Sequence, residues 1–210
     1  MKLGGAVVPQ DLAYAVLAGA LWGVACWWGD GANLAAVRVL TNVAGPWLLL
    51  AFALGTRSRA ALPGAVLGAV ALLAAILGYY LAIELLDAEQ APNRLSLDAG
   101  SAWAVAAVPV GAFFGLCGAA WRANVAVPLA LGLLGGALFG EGLILLNDGI
   151  GPSFDYLAVP VAEVAVAFAL PTLLMAQRAA AWTIVVVAAA GPIAAFVERG
   201  LFESVRGVIG

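Results

Sequence analysis

The stretch AALPGAVLGAVALLAAILGYYLAI, residues 60–83, decides the fold because it carries no charged side chain over 24 positions. A helix of about 20 apolar residues crosses the roughly 30 Å hydrocarbon core of a bilayer. The stretch therefore predicts a membrane-spanning helix. The whole chain has the same character, since 65% of its 210 residues are hydrophobic and only 10% are charged. Soluble proteins have far more charge than this.

Other parts of the chain repeat this pattern. Charge-free intervals of 18 or more residues also occur at 12–29, 39–56, 99–121, 123–140 and 179–197. One further apolar segment, about 157–177, contains a single acid, Glu163. We therefore predict an all-α integral membrane protein with one transmembrane domain over residues 1–210. Its seven helices are expected at about 11–29, 39–56, 61–86, 101–121, 125–147, 157–177 and 179–197.

The connections between these spans alternate in charge, which predicts the orientation. Arginine follows the second, fourth and sixth spans, whereas the other connections carry aspartate and glutamate. Positive residues mark the cytoplasmic side of a membrane protein. The N-terminus is therefore expected inside and the C-terminus outside. Arginine outnumbers lysine in a chain rich in glycine and alanine, a composition typical of a GC-rich bacterium, so we expect the bacterial plasma membrane. The basic residues are Arg57, Arg59, Arg122 and Arg178; the acidic ones are Asp30, Asp87, Glu89, Asp98, Asp148 and Asp155.

A weak internal repeat relates the two halves of the chain. GALWGVACWWGDG at 19–31 is similar to GALFGEGLILLNDG at 136–149, and the span that follows each of them is also similar. This predicts two parallel three-helix repeats, spans 1–3 and 5–7, joined by span 4. The interface between such repeats is where a substrate cavity is expected.

Four acidic residues are candidates for a functional site because ionisable groups within a membrane are costly and usually functional. Glu141 lies between two glycines in span 5, and Glu163 lies among valine and alanine in span 6. Glu84 is near the outer end of span 3, and Asp30 ends span 1. With the predicted orientation all four lie in the outer half of the membrane.

Aromatic residues accompany these acids, and the helical spacing puts both on shared faces. Trp27 precedes Asp30 by three positions, and Tyr80 precedes Glu84 by four. The spacing predicts one outward-facing cavity with carboxyl groups and aromatic walls. Its candidate substrate-binding residues are Trp27, Trp28, Trp47, Tyr79, Tyr80, Trp103 and Tyr156.

Simpler interpretations of the same residues remain open. Tryptophan and tyrosine favour the membrane interface whatever the function. Asp30 before a glycine is typical of a helix end, and Glu84 fits headgroup water. Glu141 or Glu163 would also be tolerated as a neutral carboxyl bonded to a carbonyl or to Asn147.

The missing residue types exclude several kinds of chemistry. There is no histidine, the usual zinc ligand and the general base of serine and cysteine nucleophiles. The only lysine, Lys2, lies at the terminus, which excludes a retinal Schiff base within a span. The sequence has no paired aspartate-rich motif for magnesium diphosphate, and no GxSxG, P-loop, HExxH or CxxC motif. We expect no metal, no cofactor and no nucleic-acid partner, and we interpret Cys26 and Cys117 as unpaired core residues.

A general acid, a second carboxylate as base and aromatic faces that stabilise cations would suit proton-initiated cyclisation. In length, span number and acid-plus-aromatic content the chain resembles the small seven-helix membrane terpene cyclases of meroterpenoid pathways. The resemblance implies a class II-type cyclase for a hydrophobic prenylated substrate, with Glu141 and Glu163 starting and finishing the reaction. Asp30 and Glu84 are the next candidates for these roles.

A second resemblance rests on AGPWLLLAFALG at 44–55, GYY at 78–80 and GEGL at 140–143. These runs look like an uncharacterised actinobacterial family of multi-spanning proteins, and they imply no function. A small-molecule transporter or a membrane substrate-binding subunit therefore remains the alternative to the cyclase. A closed aromatic pocket would favour the enzyme, whereas a path through the protein or a lateral repeat interface would favour transport.

Overall fold

A computed structural model describes residues 5–86, 97–147, 154–175 and 177–209 of the chain. Within these ranges the regular secondary structure consists of eight helices, and there is no β-strand. The helices are α1 Pro9–Asp30, α2 Ala35–Asn42, α3 Gly45–Gly55, α4 Ala61–Leu86, α5 Leu97–Arg122, α6 Val127–Asn147, α7 Phe154–Leu174 and α8 Gln177–Ile209. Several residues of the sequence analysis lie outside the described part: Asp87, Glu89 and Asp148, and the side chains of Asp98, Asp155, Tyr156 and Arg178.

The prediction of an all-α fold is confirmed for the described residues, and their helices fit the predicted membrane spans in length and composition. Six of the described helices are long and apolar enough to cross a membrane. The short helices α2 and α3 together form a seventh candidate span, with a bend of 51° between them.

The second span differs from the continuous helix predicted over 39–56. It breaks after Asn42, where Val43 takes an extended backbone conformation, and α3 then starts at Gly45. Pro46 explains the break, because a proline has no N–H to donate and its ring clashes with the carbonyl four residues before it. In the first turn of a new helix the same proline is favourable.

The last helix is also longer than predicted. α8 continues to Ile209, whereas the charge pattern placed its end at residue 197. Glu198 and Arg199, which looked like the end of the span, are therefore helical.

Glycine lets the helices of the first half approach one another closely. A Cβ added to Gly23 of α1 would lie 1.9 Å from the carbonyl oxygen of Ala75 in α4. A Cβ on Gly68 of α4 would lie 2.1 Å from the carbonyl oxygen of Gly111 in α5. Small residues at such contacts are the usual basis of helix packing in membranes. They fix which face of each helix is buried.

The two halves of the chain meet at the broken span. α1 packs along α4 in the first half, α6 packs along α8 and α7 in the second, and α5 lies beside α3, α4 and α6. The hydrophobic core joins α3, α4, α5 and α6 around residues such as Leu48, Leu72, Phe114 and Leu131. α2 contacts α7, and α3 contacts α6. The helix break therefore faces the second half of the protein.

Candidate functional site

The break between α2 and α3 holds the carboxyl group of Glu141. The backbone N–H of Ala44 donates to Oε1 of Glu141, and the N–H of Gly45 donates to Oε2 at 2.5 Å. The first N–H groups of a helix have no partner within the helix and carry partial positive charge. Glu141, which is only 4% exposed, satisfies two of these donors at the start of α3. This arrangement stabilises a carboxylate within the bundle.

Glu163 of α7 lies next to Glu141 but has no such support. Its side chain is 7% exposed, and within the described residues neither carboxyl oxygen has a hydrogen-bond donor. Buried polar groups in proteins are nearly always hydrogen-bonded. An unpartnered buried carboxyl in an otherwise well-packed bundle therefore marks a place where a proton or a ligand is expected.

Gly45 lies where the two carboxyl groups meet. A Cβ added to it would be 2.6 Å from Oε1 of Glu163 and 3.2 Å from Oε2 of Glu141. The two carboxyl groups are therefore close neighbours, although Glu163 accepts no hydrogen bond in the described structure. Two carboxylates this close repel each other. A proton or a cation at Glu163 would relieve that repulsion.

Glu198 of α8 is the third acid of this glutamate cluster. Its half-buried carboxyl is within hydrogen-bonding reach of Glu141, and it acts electrostatically on Glu163. Sequence reasoning missed it because it follows the charge-free interval directly. The available signal was helical spacing, since Gly191, Ala195 and Glu198 fall on one face, and Gly191 and Ala195 contact α6 at Gly140.

The helix α3 separates the glutamate cluster from the connection that carries Arg57. It has 11 residues from Gly45 to Gly55, which is a rise of about 16 Å. This is about half the thickness of a bilayer core, which is roughly 30 Å.

An apolar groove leads to Glu163 from the side of the bundle. Its volume is about 320 Å³, and Glu163 is the one ionisable residue that lines it. None of the lining residues that the structure describes is aromatic. They come from α2, α3, α6 and α7: Ala36, Val37, Leu40, Gly45, Pro46, Leu49, Leu138, Ala158, Val159, Ala162, Glu163 and Val166.

Asp30 belongs to a separate, open cleft of about 430 Å³, lined by Asp30, Asn42, Tyr79 and Tyr80. The Tyr79 hydroxyl donates to Oδ2 of Asp30 at 2.5 Å, and the Asn42 amide donates to Oδ1 at 2.5 Å. The rings of Tyr79 and Tyr80 meet edge to face, with 5.4 Å between centroids. Asp30 therefore ties the end of α2 to α4.

The structure thus divides the acids and aromatics predicted to share one cavity. Glu141 and Glu163 come together, Asp30 lies with the two tyrosines, and Glu84 is exposed on α4. Trp28 is 67% exposed, and Trp27 is partly buried. Trp47, Tyr80 and Trp103 pack against the hydrophobic core. None of the candidate aromatic residues whose side chains are described lines the groove that reaches Glu163.

The described residues hold no group of three or more acidic or cysteine side chains arranged to bind a metal ion. Cys26 and Cys117 are buried, free thiols.

A family described as a family of unknown function, DUF6518, matches residues 5–204. Because the match covers nearly the whole chain, the protein belongs to this family. No curated protein and no solved structure matches the chain.

Proposed function

We propose that this member of the DUF6518 family is a membrane transporter that exchanges a small cationic solute for protons at Glu141, Glu163 and Glu198. The observation that carries the proposal is the buried, unpartnered carboxyl of Glu163 beside a helix break. Ionisable groups held within a membrane commonly mark ion and proton pathways.

The two central glutamates would have different roles. Glu141 is bound by the N–H groups of Ala44 and Gly45, so its carboxylate is stabilised without a ligand. Glu163 has no donor and needs either a proton or a cation to neutralise it. A cation and a proton therefore compete for Glu163, and the binding of one releases the other. Such competition couples the two movements.

The position of the glutamate cluster supports the same function. Substrate sites of transporters lie near the bilayer midplane, between structural repeats and next to discontinuous helices. Here the broken span of the first half faces α6, α7 and α8 of the second. The first helix also packs along the third in each half, α1 along α4 and α6 along α8. Two parallel three-helix repeats, as suggested by the sequence, would require this packing.

Proton exchange in reconstituted vesicles tests the proposal. Purified protein in liposomes that contain a pH-sensitive dye would receive a panel of named cations: choline, guanidinium, putrescine, tetramethylammonium and decyltrimethylammonium. We expect at least one cation to move protons out as it moves in. Glu163→Gln should abolish this signal. Glu84→Gln, which changes an exposed acid on α4, should leave it intact. If none of the cations moves protons, the transport proposal is wrong.

A proton-initiated terpene cyclase is the second candidate, because the apolar groove ends at a carboxyl group. In that reaction Glu163 would protonate an alkene or epoxide of a prenyl chain, a ring bond would form, and a carboxylate would remove a proton from the cation. We place it second because the described lining of the groove includes no aromatic residue to stabilise a carbocation. Incubation with farnesylated and geranylgeranylated acceptors tests it. An isomer of unchanged mass, lost in Glu141→Gln or Glu163→Gln, would establish the enzyme.

A further inference from the structure

The apolar groove identifies a class of solute when it is considered together with Glu163. We propose that the transported solute is an amphiphilic cation, an apolar chain ending in an ammonium group, which enters the groove laterally from the bilayer. Its ammonium would pair with the Glu163 carboxylate. This inference rests on the proposed transport function and specifies the solute.

The groove fits an apolar chain in size and composition. It runs along α7 from Ala158 to Val166, eight residue rises or about 12 Å. Its volume of about 320 Å³ is at the lower end of the range for small-molecule sites. Apart from Glu163, every lining side chain is aliphatic, or the residue is glycine or proline. A hydrated polar solute would lose its water there without gaining hydrogen bonds.

The mouth of the groove lies on the side of the bundle. Leu40 is 44% exposed and Val166 is 39% exposed, and both line the groove. Ala162 of α7, which also lines the groove, is exposed as well. These residues lie on spanning helices, so the opening faces the hydrocarbon of the bilayer rather than water. A chain already dissolved in the membrane can enter without crossing an interface.

The acidic residues around Glu163 determine the charge of the head group that the solute can carry. The charged side chains that act on Glu163 are Glu141 and Glu198, and both are acidic. An anionic head group would meet three carboxyl groups, and a neutral one would leave Glu163 unpaired. Glu141 already accepts two backbone hydrogen bonds, so Glu163 is the free acceptor. An ammonium group supplies the missing positive charge.

The exchange balances in charge. When the ammonium binds, the proton that neutralised Glu163 leaves, and the net charge of the site stays constant. When the cation departs, a proton returns to the carboxylate. Two further carboxyl groups face Glu163 from neighbouring helices, Glu141 on α6 and Glu198 on α8. They are the nearest groups that can accept the proton as it leaves Glu163.

Binding to protein in phosphatidylcholine nanodiscs tests the inference directly. Radiolabelled decyltrimethylammonium is the probe; decanol, decyl sulfate and tetramethylammonium are competitors that remove the charge, reverse it or remove the chain. We expect saturable binding of one cation per chain, with none of the three competitors displacing it at matched concentration. Glu163→Gln should weaken binding by roughly tenfold or more, because the buried ion pair is lost.

A second pair of variants tests the groove without changing any charge. Ala162→Phe fills the groove and should weaken decyltrimethylammonium binding by about tenfold or more. Ala165→Phe adds the same ring at an exposed position of α7 outside the lining and should leave binding unchanged.

Three results would overturn the inference. Displacement by decanol would mean that the groove holds acyl chains and ignores charge. Displacement by tetramethylammonium would mean that the protein does not recognise the decyl chain of the probe. Equal binding by Ala162→Phe and the wild type would place the probe elsewhere. Each outcome leaves the transport proposal to the separate vesicle experiment, which measures the exchange of small hydrophilic cations for protons.

Discussion

The backbone N–H of Gly45 donates to Oε2 of Glu141 at 2.5 Å, although 96 positions separate the two residues in the chain. A carboxyl group of one half of the protein thus caps a helix that starts inside the other half. Unpaired backbone groups in hydrocarbon cost several kcal/mol each, so a broken span needs such a partner. The bend in the second span and the buried acid in α6 therefore depend on each other.

This dependence predicts different effects of removing the two central glutamates. Glu141→Leu leaves the N–H groups of Ala44 and Gly45 without an acceptor. We expect it to lower the free energy of unfolding by about 1–3 kcal/mol for each orphaned donor. Glu163→Leu removes a carboxyl that has no donor in the described structure, and it should be neutral or stabilising. Thermal unfolding in detergent measures both. Equal losses from the two variants would contradict the proposed difference in their roles.

Gly45→Ala tests the contact between the two carboxyl groups. The new Cβ would meet Oε1 of Glu163 at 2.6 Å and Cδ2 of Leu138 at 2.8 Å. Overpacking of this kind costs about 1–3 kcal/mol, so a lower melting temperature is expected. Gly31→Ala is the matched control, because its nearest atom outside the adjacent residues is the Trp28 carbonyl oxygen at 3.6 Å.

A double variant shows whether the cost of Gly45→Ala comes from Glu163. Gly45→Ala combined with Glu163→Ala should recover part of the lost stability, because the shorter side chain removes the closest contact. Residues in contact show such non-additive effects, whereas distant residues do not. Purely additive losses would show that the carboxyl group moves away freely.

The spans were predictable from sequence, but the glutamate cluster was predictable only in part. Charge-free intervals located the helices because the bilayer excludes charge along a whole span. The same argument singled out Glu141 and Glu163. It did not find the partners of Glu141, since these are backbone N–H groups of Ala44 and Gly45 that no side-chain pattern reveals. Pro46, which marks the start of α3, also played no part in the sequence-based predictions.

Several aromatic residues lie outside the predicted cavity because the sequence does not determine how each helix is rotated about its own axis. The spacing in α1 and α4 correctly relates residues on one helix, but it does not say which face is buried. In α1 the face with Gly23 and Cys26 packs inward, which leaves Trp28 exposed. In α4 the buried residues Ala82 and Ile83 leave Glu84 outside. Close glycine contacts between helices decide these rotations, and they are long-range features of the packing.

The cleft at Asp30 predicts a small structural effect of Tyr79. Tyr79→Phe removes the hydrogen bond from the hydroxyl to Oδ2 of Asp30 but keeps the ring. Asp30 keeps its bond from Asn42 at the end of α2. We expect a loss of stability of about 1 kcal/mol, the usual net value of one hydrogen bond, measured by thermal unfolding. Tyr80→Phe is the matched control on the adjacent ring. A larger loss from Tyr80→Phe would show that Asp30 does not organise the cleft.

The predicted orientation is tested by labelling single cysteines with a membrane-impermeant maleimide. Cys26 and Cys117 are 1% and 6% exposed, so the native thiols should not react in the folded protein. In a chain with both changed to alanine, Ser58→Cys reports on the connection between α3 and α4, which carries Arg57 and Arg59. Asn33→Cys reports on the opposite end of the broken span, between α1 and α2.

Positive residues mark the cytoplasmic side, so Ser58→Cys should react only after the cells are permeabilised. Asn33→Cys should react in intact cells, because the connection at 31–34 would then face outward. The reverse labelling pattern would show that the protein has the opposite orientation in the membrane. Because α3 separates the Arg57 connection from the glutamate cluster, the result also tells which side of the membrane lies one α3 length from Glu141. Labelling of both cysteines in intact cells would mean that α2 and α3 do not together cross the membrane, and the midplane position of the glutamate cluster would then be wrong.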